Sequence, residues 1–184
     1  FSQFRETAST IAKNLSLIPE AKSKIFIGQA KKSDSGLSQK EQKKVIEDFN
    51  QLSSVELQKT QANGEIKIYF APDSQFSQIE PNYVSQNKGF FWASWDKNYH
   101  YTQTTILIST QDLTENERCH LIREELTQSM GLANDSNKYS ESIFYASWTE
   151  TTSYSLIDKE LIKMLYNPGL KAGLSEQEVR SYFQ

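Results

Sequence analysis

The sequence predicts an α/β fold of the α+β kind, and three observations carry that prediction. Short runs rich in β-branched and aromatic residues, such as Glu65-Ile66-Lys67-Ile68-Tyr69-Phe70 and Thr104-Thr105-Ile106-Leu107-Ile108-Ser109, read as strands. Capping boxes at Ser38-Gln39-Lys40-Glu41, Thr114-Glu115-Asn116-Glu117 and Ser175-Glu176-Gln177-Glu178 open helices between and after them. Gly131 supplies the left-handed position that stops the helix begun at Thr114, and the chain beyond it is mainly helical.

Taken in order, Phe4, Ala8, Ile11 and Leu15 recur at helical spacing and predict an amphipathic opening helix, followed by a short strand at Lys24-Ile25-Phe26-Ile27-Gly28. After the Ser38 box, Val45, Ile46, Phe49 and Leu52 form a helical stripe. Val55-Glu56-Leu57-Gln58-Lys59 and, beyond an Asn63-Gly64 turn, residues 65–70 predict two strands. Residues 72–88, rich in Ser, Gln, Asn and Pro, predict a long loop before the aromatic strand Gly89-Phe90-Phe91-Trp92-Ala93-Ser94-Trp95. The helix opened at Thr114 is expected to run to about Met130 and to be followed by a loop to about Thr152. Leu156, Ile157, Leu161, Ile162 and Leu165 mark the next helix, which Asn167-Pro168-Gly169 breaks.

A chain of 184 residues fits one domain, spanning 1–184, with no internal repeat or linker to divide it. With 37% hydrophobic and 23% charged residues, neither disorder nor a fibrous repeat fits. The net charge of -3, with Lys scattered among Glu, leaves no basic stripe to track a phosphate backbone, so nucleic acid is not the expected partner. One cysteine, Cys119, excludes an internal disulfide framework and reads as a small buried filler. No run approaches the roughly 20 apolar residues that span a bilayer. Phe1-Ser2-Gln3-Phe4-Arg5 lacks the order of a signal peptide, and the absent starting Met suggests a processed or trimmed form.

Chemistry concentrates in Arg123-Glu124-Glu125-Leu126-Thr127-Gln128-Ser129-Met130-Gly131-Leu132-Ala133-Asn134-Asp135. Glu124 and Gln128, four apart, share one helical face, with Glu125 about 100° round from Glu124. The turn at Gly131 then brings Asn134 back toward that pair, so one carboxylate and further oxygen-bearing side chains converge.

This run resembles the metzincin zinc-peptidase motif His-Glu-x-x-His-x-x-Gly-x-x-His. On that frame Glu124, Gln128 and Asn134 take the three ligand positions, Glu125 falls on the general base and Gly131 on the glycine. Ser142-Ile143-Phe144-Tyr145 is similar to the Met-turn of that clan, with Phe144 in place of Met, and residues 156–166 are similar to the helix after it. The resemblance implies a zincin-like fold: a mixed twisted sheet, an active-site helix ending at a glycine turn, and a division into an upper part of about 1–131 and a lower part of about 132–184. It spans about residues 40–175 in element order and 123–170 in motif. Residues 124–135 and 142–144 also resemble the bacterial family of domain of unknown function 2927, where His often stands at the position of Arg123.

Zinc favours imidazole and thiolate, so Glu, Gln and Asn make zinc an unexpected cofactor. A hard divalent cation at Glu124, Gln128 and Asn134, with Glu125 or Asp135, stays open, although six or more ligands are wanted and only five can be named. Two functional readings follow from the resemblance. In the first, the domain is a pseudo-peptidase or a peptide- or glycan-binding module of the periplasm or cell exterior. In the second it is a hydrolase in which Glu125 is the general base beside Glu124, Gln128 and Asn134; two adjacent carboxylates in a dry cleft would raise one pKa and favour acidic pH.

His120, four residues before Glu124, is more simply a surface or supporting residue than a ligand, and His100 is weaker still. Phe90, Phe91, Trp92, Trp95, Tyr99 and Tyr101 read as a core face with an amphipathic edge or as a ligand groove. Trp92 and Trp95, three apart, are expected on opposite faces. With Asn134, Asp135 and Tyr145, Trp92 completes the expected binding set.

Overall fold

The structure is a computed structural model and describes residues 24–29, 39–60, 64–98 and 100–183. The expected opening helix, Ser38 of the first capping box, Asn63 and Tyr99 lie outside the described residues.

Among the described residues five strands form one mixed sheet. In chain order the elements are β1 (Lys24–Gln29), α1 (Gln39–Asn50), β2 (Gln58–Thr60), β3 (Ile66–Ala71), a tight turn at Asp73–Gln75 running into the single-turn α2 (Phe76–Ile79), β4 (Gly89–Trp95), β5 (Tyr101–Ser109), α3 (Glu115–Ser129), α4 (Leu156–Leu165) and α5 (Glu176–Tyr182). The spatial order is β2-β1-β3-β5-β4; β2, β1, β3 and β5 run parallel, and β4 lies antiparallel to β5 at the edge.

The strand sequences account for this arrangement. Ile106, Leu107 and Ile108 are all fully buried, as expected of a strand covered on both faces. On one face Ile66, Ile68, Phe70, Ile106 and Ile108 join the main core with Val45, Ile46 and Phe49 of α1 and Ile122, Leu126 and Met130. On the other, Ala71 and Leu107 pack against Phe76, with Tyr69, Ile79, Tyr83 and Phe90 around them. Phe76 is therefore the reason that residues 72–88, expected to be a loop without structure, contain a turn of helix.

The expected strand at 55–59 is shorter and later in the chain, because Val55 and Leu57 are committed to the core and only Gln58–Thr60 meets β1. Conversely β5 begins at Tyr101, drawn out by pairing with β4 as far as Trp95↔Tyr101. The register shifts between Ser94 and Trp95, where Thr102 of β5 is passed over, and along this edge strand Trp92 and Trp95 are both exposed. The turn between β4 and β5 is held by Asp96, whose Oδ1 accepts from the backbone N–H of Asn98 and of His100.

The α3 helix is buried on several sides, His120, Leu121, Ile122, Arg123, Glu125, Leu126, Thr127, Gln128 and Ser129 among them. Its capping box at Thr114 and Glu117 is formed. The helix stops at Gly131, whose φ of 120° a side chain rarely allows, and the Tyr166 hydroxyl donates to the freed Met130 carbonyl at 2.6 Å. Among the described residues no helix is long and apolar enough to cross a membrane.

Candidate active site

A cleft of about 430 Å³ opens between α3, the start of β4 and the segment 145–149. The helix contributes His120, Leu121, Glu124, Glu125 and Gln128; the strand and the residues before it contribute Lys88, Gly89, Phe90 and Phe91. Asp135, Tyr145 and Trp148 close the far side.

Glu125 is the most perturbed group in the cleft. It is 7% exposed, lines the cleft and, among the described residues, makes no hydrogen bond. Burial first, then the carboxylates of Glu124 and Asp135, push it well above the ordinary carboxylate range. Gly89 lies directly over it: a Cβ there would stand 2.5 Å from Glu125 Oε1 and 2.9 Å from Leu121 Cδ2. Glycine is what allows β4 to approach the helix this closely.

Beside it His120 is buried, with Nδ1 2.7 Å from the Thr151 carbonyl, which can only accept. Nδ1 therefore carries the proton, and Nε2 faces Glu124 Oε2 at 3.4 Å. Burial pulls the imidazole down, but Glu124 and the Thr151 carbonyl outweigh it, so His120 titrates above its ordinary value. Gln128 donates from Nε2 to Asp135 Oδ1 at 2.6 Å.

The chain beyond Gly131 is brought to the cleft by a small set of bonds. Ser136 N–H donates to the Phe144 carbonyl at 2.8 Å, and Ala146 N–H donates to the Ser136 carbonyl at 3.1 Å. Asp158, fully buried in the first turn of α4, accepts from the Ser142 hydroxyl, from Ile143 N–H at 3.2 Å and from Ser155 N–H at 2.8 Å. That anchors the 142–145 turn, with Phe144 buried, and holds Tyr145 at the cleft.

The family of proteins of unknown function DUF2927 matches residues 24–184. The chain belongs to this family. None of the curated proteins matches it. Among solved structures, one described as the structure of myroilysin superimposes with a TM-score of 0.50 at 9% identity, covering 88% of this chain and 85% of that one. A second structure of myroilysin gives a TM-score of 0.48 at 8% identity, covering 83% and 84%. At such identity the likeness concerns the fold, which is metzincin-like, as the helix, glycine and turn motifs of this DUF2927 chain imply.

Of the sequence-derived site residues, the structure brings Glu124, Glu125, Gln128, Asp135 and Tyr145 together around the cleft. Two stand outside its lining. Asn134 is exposed, and it is Asp135, the next residue, that the glycine turn delivers to Gln128. Trp92 is exposed on β4, while its neighbours Phe90 and Phe91 line the cleft. Arg123 is turned away altogether: 1% exposed, it donates to Asp48 of α1 at 2.8 Å and lies 4.7 Å from the Tyr154 ring centre. The residue before Glu124 thus belongs to the helix–helix contact and not to the cleft.

His120, expected from sequence as a surface or supporting side chain four residues before Glu124, is buried, forms part of the cleft wall and supports Glu124. Gly89 carried no motif signal and Asp158 only that of a capping box with Ser155, since their roles at the cleft depend on contacts distant in sequence.

The metzincin-like fold raises zinc, and the side chains decide against it. The first ligand position holds a carboxylate paired with His120, the second an amide whose nitrogen already bonds Asp135, and the third lies outside the cleft lining. Among the described residues no three His, Cys, Asp or Glu side chains are grouped to hold a metal ion. The site does not fit zinc, and the same dispersal of oxygens fails the six or more ligands a hard cation wants.

Proposed function

We propose that this chain is a pseudo-peptidase: a peptidase-like fold that uses its cleft to bind an extended peptide without zinc chemistry. The observation that carries this reading is that one wall of the cleft is an edge strand. Among the described residues β4 pairs with β5 alone, so its other edge offers backbone N–H and C=O groups beside Phe90 and Phe91. A peptide adding to that edge would lay alternate side chains toward α3. A glycan, the other ligand considered, has no backbone to pair with a strand.

The test is binding of a fluorescent-peptide library to the full chain, followed by resynthesis of a binder with alternate backbone nitrogens methylated. Loss of affinity by about 10-fold or more on methylation is expected, since strand pairing depends on those donors. Undiminished binding of the methylated peptide, or binding of oligosaccharides instead, sinks the reading.

A second reading is favoured by the high pKa of Glu125. A carboxyl that keeps its proton to higher pH is, once ionised, a stronger base, suited to take a proton from water and return it to a departing amine, with Glu124 and Gln128 beside it. Peptide turnover that vanishes in Glu125→Gln would establish it. No turnover across acidic and neutral pH, with and without added divalent ions, would remove it.

A further inference from the structure

We propose that the cleft selects a positively charged organic group, the ammonium or guanidinium of a peptide's Lys, Arg or amino terminus; this rests on the peptide-binding reading above. Three carboxylates, Glu124, Glu125 and Asp135, line one continuous space. Their existing partners leave an excess of negative charge. Glu124 is shared with His120, and Asp135 accepts from a neutral amide, Gln128. Lys88, the cation at the rim, is occupied by Asp73 at 2.8 Å and Asp112 at 4.0 Å, neither of which lines the cleft.

The decisive group is Glu125. A largely buried carboxyl that lines a cavity and makes no hydrogen bond to the described residues has acceptor atoms that none of them uses. Natural interiors rarely leave such a group unpaired, and the exceptions mark binding or chemistry. A donor brought by a ligand would complete it, and a cation would do so with a charge-assisted bond of about twice the strength of a neutral one.

The walls suit the same guest. Phe91, Tyr145 and Trp148 present aromatic surface around the carboxylates, and ring faces attract ammonium and guanidinium groups. A metal ion would be too small to span oxygens that are not gathered into a ligand set, whereas a planar guanidinium reaches two carboxylates at once. The volume of about 430 Å³ admits a whole side chain.

The experiment is a matched series of extended peptides, alike except for Lys, Arg, norleucine or Glu at one position scanned along the peptide, measured by isothermal titration with the full chain. The Lys or Arg peptide is expected to bind at least about 10-fold tighter than the norleucine peptide at one position, and the Glu peptide weakest. Glu125→Gln should erase most of that preference, read as the ratio of the Lys or Arg peptide's affinity to that of the norleucine peptide. Asp135→Asn, whose Oδ1 can still accept from Gln128, serves as the second variant and should reduce the preference in the same direction. Equal binding of the norleucine and Lys peptides overturns the charge selection but leaves peptide binding standing. If no peptide binds, agmatine and lysine methyl ester are titrated alone, with the His120 ring signals followed by NMR. Shifts that Glu125→Gln abolishes keep the cation site and remove the peptide reading; no shifts remove both.

Discussion

Glu124 sets the charge of His120, and the two can be separated experimentally. Burial alone would lower the imidazole; the carboxylate beside Nε2 and the Thr151 carbonyl at Nδ1 raise it. NMR titration should place His120 above 6.5 in the native chain, and Glu124→Gln should bring it below 6.5, because burial is then opposed only by the Thr151 bond. A folded pKa above the unfolded one gives stability that is fully present below about pH 6.5 and lost as pH rises through the folded value. Glu125 works in the same sense, in a lower pH window. Its folded pKa lies above 4.5, so the unfolded chain sheds that proton first and stability falls as pH climbs beyond about 4.5. Glu125→Gln should therefore be more stable than the native chain at neutral pH, with the gain gone by about pH 4, as chemical denaturation at both values would reveal. A variant less stable at neutral pH would mean that the carboxyl is satisfied by contacts it does not make here.

At the scale of elements, the approach of β4 to α3 depends on Gly89. A methyl group there meets Glu125 Oε1 and Leu121 Cδ2 inside normal contact distance, and both belong to a packed helix. Gly89→Ala should cost roughly 1–3 kcal/mol in denaturant unfolding and displace the Glu125 carboxyl, which would show as a changed pH dependence of stability. Helices were the most legible elements in the sequence: the Thr114 and Ser175 capping boxes and the Gly131 stop fall where spacing put them. Leu156–Leu165 was equally plain from its apolar stripe, although its own capping box, Ser155 with Asp158, was overlooked. Strand limits were harder to read, because Val55 and Leu57 look like strand residues whether they pair with a neighbour or simply fill the core. The irregularity opposite Ser94/Trp95 illustrates the same difficulty: pairing passes over Thr102 of β5, and no local pattern in the sequence marks that position.

Across the whole molecule, the question is what ties the helix to the chain beyond the glycine. In the metzincin motif the ligands straddle that glycine, so the metal itself bridges the two segments. Here the bridge is made of hydrogen bonds: Gln128 to Asp135, Tyr166 to the Met130 carbonyl, and the turn at 142–145 to Asp158. Sequence spacing identified the helix, the glycine and the turn, which are local; it put Asn134 at the third ligand position and named Asp135 beside it, because which of two adjacent side chains reaches Gln128 depends on how the loop leaves Gly131 and pairs Ser136 with Tyr145. The bridging role of Asp158 was out of reach for a similar reason, since its partner Ser142 lies 16 residues away and comes near only once α4 packs. A structure joined in this way should be indifferent to chelation. Millimolar EDTA or phenanthroline should leave the melting temperature within about 1 °C. Asp158→Ala, which strands the buried donors of Ser142 and Ile143, should cost roughly 2–3 kcal/mol and lower the melting temperature by about 5–10 °C. A chelator that destabilised the protein while Asp158→Ala did not would place the joint at a metal after all, and the functional proposal built on a metal-free cleft would go with it.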